Sequence, residues 1–173
     1  MRFLSTADCV SWCSQHGIPV CDRSLPHLTE PDYHFVEIPF PRDSGKKVVV
    51  ANFLYKLVTP APELLLWLDD WAVFPSCQHM PLFSRFRQAL GEERNLIESP
   101  GHLVIDTDKD DAISIIATSL LFFWDCHGLA GTGRDAFEIS HDEYLWFASR
   151  DLETARHVRE RVSKSKIFDR PSQ

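Results

Sequence analysis

Two short segments carry the side chains best suited to chemistry. Trp124-Asp125-Cys126-His127 and Ser140-His141-Asp142-Glu143 bring imidazoles, carboxyls and a thiol close together along the chain. An imidazole beside a carboxylate can transfer protons as acid and base or hold a divalent metal. One reading is therefore a hydrolase or metal-dependent enzyme using His127, His141, Asp142 and Glu143, with Asp125 in support. The spacing matches no H-E-x-x-H, H-x-H or paired metal pattern, so neither a catalytic set nor a metal ligand set is assigned. Ser140 to Glu143 also has the form of a capping box. Ser140 would bond the backbone N–H of residue 143, and Glu143 would reach back to the N–H of residue 140. That reading expects a short helix after residue 140 and an exposed His141.

A second constellation is Trp67-Leu68-Asp69-Asp70-Trp71-Ala72-Val73-Phe74-Pro75, an apolar run leading into an acidic, aromatic loop. Rigid rings give contact area at small entropic cost and are enriched at protein interfaces. Carboxylates beside them suit an Arg or Lys from a partner. Asp69, Asp70, Trp71 and Phe74 are thus the first candidates for partner binding, and His141, Asp142 and Glu143 the second. Glycine motifs add nothing. Gly128-Leu129-Ala130-Gly131-Thr132-Gly133 is not G-x-G-x-x-G, and Ser44-Gly45-Lys46-Lys47 lacks the first glycine of a P-loop. No cofactor is assigned.

The elements that must position these residues follow from periodicity and breakers. Ser5 to Asp8 supplies an N-cap and Gly17 a stop, marking a helix over about 6–16. Residues 18–31 read as loop, with Pro19, Pro26 and Pro31 as breakers. Tyr33 to Ile38 alternates as a strand. Val48, Phe53, Leu54, Leu57 and Val58 step as a helix after Asp43, although Val48-Val49-Val50 alone favours a strand. Glu63 to Leu68 is apolar on both faces and reads as a central, doubly covered strand. Pro81 to Leu90 is a helix, and His102 to Ile105 a strand. A helix starts at Asp108–Asp111 and passes near Ser119 into a buried strand, Leu121 to Trp124. Gly128 to Gly133 reads as a flexible connection and Ala136 to Ile139 as a strand. Asp151 caps a last helix to about Lys164. A hairpin between the strands flanking residues 128–133 would set residue 127 near residue 134 rather than 140, keeping the two chemical segments apart.

The fold expected is α/β (or α+β), with a single mixed sheet of about 4–5 strands covered by helices. One globular domain over 1–168 and a frayed tail over 169–173 are expected. The hydrophobic fraction of 44% and charged fraction of 25% are those of an ordinary globular protein. Ala112 to Trp124, the longest uncharged apolar run, falls short of the ~18 residues a membrane span needs. The N-terminus meets Asp8 before any apolar stretch, so no secretory signal is read. Five cysteines, an odd set without a paired spacing, point to reduced thiols in a cytoplasm.

Net charge is −7, and it is unevenly spread. Residues 61–149 carry five basic and fifteen acidic side chains, a net of −10. That section repels phosphate backbones, which argues against nucleic acid and for a basic partner protein. A homodimer through exposed aromatics is the blander alternative.

Certain segments carry a resemblance. They are Ile38-Pro39-Phe40-Pro41, Leu65-Leu66-Trp67 with Trp71 to Ser76, Gly91 to Arg94, Phe123-Trp124-Asp125 and Ile139 to Glu143. In this order the chain resembles small uncharacterised bacterial domains, some similar to immunity proteins that accompany polymorphic toxins. The resemblance spans roughly 1–150 and implies a non-enzymatic, protein-binding role in a bacterial cytoplasm. It brings no catalytic residue with it. The expectation is an acidic domain that docks a basic protein, a toxin in the specific form the resemblance implies.

Overall fold

Leu64–Leu68 (β3) is apolar at every position and buried at every position, because the sheet it belongs to is covered on both faces there. The computed structural model describes residues 1–21, 25–59, 61–69, 71 and 79–168. Around β3 the chain assembles Arg2–Leu4 (β1), His34–Glu37 (β2), Gly101–Val104 (β4), Cys126–Ala130 (β5), Asp135–Ile139 (β6) and Leu145–Ser149 (β7). They form one seven-stranded sheet in the order β1-β4-β3-β5-β6-β7-β2. Every pairing is antiparallel, so the mixed sheet of 4–5 strands is corrected in both number and direction. The strands not expected are β1, only three residues long, β5, where a flexible connection was read, and β7, where a capping box seemed to open a helix.

Helices cover the sheet unequally. Ser44–Val58 (α2), Met80–Ala89 (α3), Lys109–Phe122 (α4) and Leu152–Lys164 (α5) contribute to the larger core, which includes Leu54, Phe83, Ile116 and Val158. Thr6–Gln15 (α1) lies on the other face, where Cys9, Trp12 and Cys13 meet Leu65, Trp67, Leu103 and Leu129. The helix starts were legible in the caps. Ser5 and Asp8 close a capping box on α1, Asp43 accepts from the N–H of Lys46, and Asp151 accepts from Glu153 and Thr154. The Val48-Val49-Val50 run stays helical because Val50, Leu54, Leu57 and Val58 bury one face, leaving Val48 and Val49 about half exposed.

Three local expectations are corrected. The run from Ser119 to Phe122 continues α4 instead of becoming a strand. The helix ends where Phe123 turns left-handed, with φ 55°, and the N–H of Trp124 returns to the carbonyl of Ser119. Gly128 is inside β5 rather than in a loose connection, because the Phe137 ring fills the space its Cβ would need. The turn is confined to Gly131–Arg134. Ser140 to Glu143 is a hairpin turn and not a capping box. The N–H of Glu143 bonds the Ser140 carbonyl, Ser140 Oγ accepts from Asp142, and the N–H of Ser140 bonds the Tyr144 carbonyl. The inward alternation of Leu145 and Phe147, both buried, pulls the following residues into the sheet. No helix among the described residues is long and apolar enough to cross a membrane.

Candidate functional site

Register lines the chemistry up across the sheet. Gly101, Trp67, His127, Glu138, Trp146 and Glu37 are successive neighbours on β4, β3, β5, β6, β7 and β2. Directly opposed residues of antiparallel strands present side chains to the same face, and here it is the face of α1. α1 lies over the first of them, since a Cβ on Gly101 would collide with Cys9 Sγ. Trp67 is buried, His127 half-buried, Glu138 exposed, Trp146 half-buried and Glu37 exposed. The row thus emerges from under α1 and ends as two carboxylates flanking an indole.

Below this row the same hairpin joins Asp125 to His141. Continuing the register one step beyond Cys126 and Ile139 sets Asp125 opposite Ser140. The expectation that a hairpin would hold the two segments apart is therefore corrected: antiparallel pairing returns the end of β6 to the start of β5. The backbone N–H of His141 donates to Asp125 Oδ1 at 2.5 Å. Its Nδ1 lies 3.0 Å from both carboxylate oxygens of Asp125. Facing a carboxylate, Nδ1 carries the proton that bonds it. Nε2 lies 3.6 Å from Asp142 Oδ1. An Asp-oriented imidazole can act as a base. Here Asp125 also holds the turn backbone, so the pair fastens the β6–β7 turn to the start of β5.

Neighbouring groups shape the electrostatics. Burial holds the His127 imidazole down at about 4, so it is neutral at pH 7. Although Glu138 as a whole is exposed, its carboxyl is partly withdrawn from water, which raises its pKa, and the charge of Asp125 raises it further. No cation among the described residues forms an ion pair with Glu138 or Glu37. On the opposite side of the turn, Lys47 is buried with its ammonium 4.0 Å from the Phe123 ring centroid and 5.3 Å from that of Phe40. Burial lowers its pKa, and the nearby Glu143 opposes that shift.

Asp69 follows β3, and its N–H bonds the carbonyl of Asp125, so it adjoins the same end of the sheet. Trp71 is half-buried against the larger core. Asp70 and Phe74 lie outside the described residues. His141, Asp142 and Glu143 share the β6–β7 turn, with Glu143 at φ 62°. Among the described residues no group of three or more His, Cys, Asp and Glu side chains could hold a metal ion. Sequence reasoning passed over Glu37, Glu138 and Trp146. The signal was present: each is a polar or amphipathic residue between buried apolar neighbours in a strand, and therefore faces away from the larger core.

The acidic surplus divides between two ends of the sheet. Asp106, Asp108, Asp110 and Asp111 sit where β4 passes into α4, with Asp108 paired to the N-terminal ammonium at 2.8 Å. Asp125, Asp142 and Glu143 lie at the opposite end, by the turn that β5 leaves and β7 enters, with Glu138 a short way up β6. The coherent patch is the second, because it is continuous with the exposed end of the row. No protein-family model, no curated protein and no solved structure matches this chain.

Proposed function

We propose that this chain is a non-enzymatic docking domain for a basic partner protein, and that the partner seats on the exposed end of the sheet face beside α1. An immunity-type inhibitor of a basic toxin is the specific form of this reading. The observation that carries it is the row Glu138–Trp146–Glu37, where two carboxylates without ion-pair partners among the described residues flank a half-buried indole. Asp125 and Asp142 extend the negative field along the adjoining turn, Glu143 adds to it against the nearby Lys47 ammonium, and the neutral His127 does not offset it. Complementary charge on a partner would mainly raise the association rate and exclude acidic competitors.

The test is binding by the purified products of genes adjacent to the one encoding this chain. A basic product should bind, with an association rate that falls as salt rises. Glu138→Gln and Glu143→Gln should slow association on the order of several-fold while leaving the circular dichroism spectrum unchanged. Binding that ignores both salt and these substitutions overturns the reading.

A further inference from the structure

We infer that the exposed end of the row is a seat for one arginine side chain of the partner, with the guanidinium stacked on Trp146 and its N–H groups shared between Glu37 and Glu138. This deepens the docking reading and rests on it. Glu138 and Glu37 are the direct cross-strand neighbours of Trp146 on β6 and β2. Strand spacing of about 4.8 Å sets the two carboxylate-bearing positions roughly 10 Å apart, with the indole between them. A guanidinium is flat, lies well on an indole face and presents donors at both edges. A lysine ammonium is a compact, strongly hydrated point charge that can meet one carboxylate at a time.

The charge balance favours an incoming cation. Neither glutamate side chain has a hydrogen bond or an ion pair among the described residues, and both residues reach solvent. The charge that acts on Glu138 is that of another carboxylate, Asp125. An extended segment adding itself as an eighth strand is a poorer occupant. Arg159 Nη2 already donates to the Phe35 carbonyl on the outer strand β2, at 3.0 Å. The seat therefore takes a side chain standing over the sheet and not a backbone lying along its edge.

Two labelled peptides of equal length and charge test the proposal, one alternating Arg and Gly, the other Lys and Gly. Their binding to the full chain is read by fluorescence anisotropy. The wild type should prefer the Arg peptide on the order of tenfold. In Trp146→Leu that preference should fall to near unity, with weak binding of both peptides remaining. Glu138→Gln, an exposed substitution that leaves the fold untouched, should weaken the Arg peptide more than the Lys peptide. Equal binding of the two peptides by the wild type, or a preference that survives in Trp146→Leu and Glu138→Gln, overturns the arginine seat and leaves the docking reading standing. If neither peptide binds, the seat and the docking reading fall together.

Discussion

Asp125 does mechanical work, whatever chemistry its pairing with His141 suggests. Its carboxylate takes the backbone N–H and the ring Nδ1 of His141 together, fixing the turn that carries Asp142 and Glu143. Asp125→Ala leaves a partly buried N–H and an imidazole without their acceptor, at about 1–3 kcal/mol in urea denaturation. His141→Ala removes the ring bond to Asp125 and should cost less, because the backbone bond persists. If His141→Ala proves the more damaging of the two, the ring and not the turn is the purpose of the pair. Gly128 makes the opposite point. Its importance is the absence of a side chain under Phe137, whose ring is fully buried in the larger core. Gly128→Ala should destabilise by about 1–3 kcal/mol through overpacking, and Phe137→Leu in the same chain should recover part of the loss. An additive double variant would show that the ring is not what the new methyl meets.

At the scale of elements, the two faces of the sheet are separate cores, and they should loosen separately. α1 is held by Cys9, Trp12 and Cys13, with Trp12 Nε1 also donating to Glu63 at 3.2 Å. Trp12→Ala should cost about 3–5 kcal/mol. In native-state hydrogen exchange, the amides of α1 should lose protection first, while α2 and α4, which face the other core, keep theirs. Uniform loss would mean that the faces unfold as one unit. The same elements show what could be read from the chain. Caps such as Ser5, Asp43 and Asp151 and the all-apolar β3 carried their own physics in a few adjacent residues, and those elements were legible. The end of α4 was not, because Leu121-Phe122-Phe123-Trp124 is apolar throughout and has no glycine to mark the stop. A left-handed Phe123 ends the helix, a conformation that nothing in the local sequence announces. The turn at Ser140 misled for a related reason. Its residues suit a helix start, and the pairing of β7 with β6 on one side and with β2, more than a hundred residues earlier in the chain, on the other decides for a strand. Glu138 and Trp146 become neighbours through that hairpin and Glu37 joins them only through the distant pairing of β2, so the members of the row could be seen singly but not together.

For the molecule as a whole, acid should act through buried imidazoles before it acts through carboxylates. His102 on β4 is fully buried, with its ring 5.4 Å from that of Phe3 and 5.9 Å from that of Phe83. Burial first, and then the charge of Arg87, also buried, together lower its pKa to about 3. His127 is held at about 4 by burial. An unfolded imidazole binds a proton near 6.5, so below that value the unfolded chain holds more protons than the folded one. Stability present above pH 6.5 is therefore lost progressively as pH falls toward about 4 and then about 3. Glu92 joins later. Its hydrogen bonds to Arg94 lower it from 4.5 to about 2, so its contribution disappears only across that more acidic window. Urea midpoints measured at intervals from pH 7.5 to 4 should fall from about pH 6.5 downward, ahead of any carboxylate. His102→Gln should flatten that fall while lowering the midpoint at pH 7.5, and His127→Gln should flatten it independently, since the two rings lie on opposite faces of the sheet. A midpoint that stays constant down to pH 5, or a slope that neither substitution changes, would show that these imidazoles gain protons in the folded chain as readily as in the unfolded one.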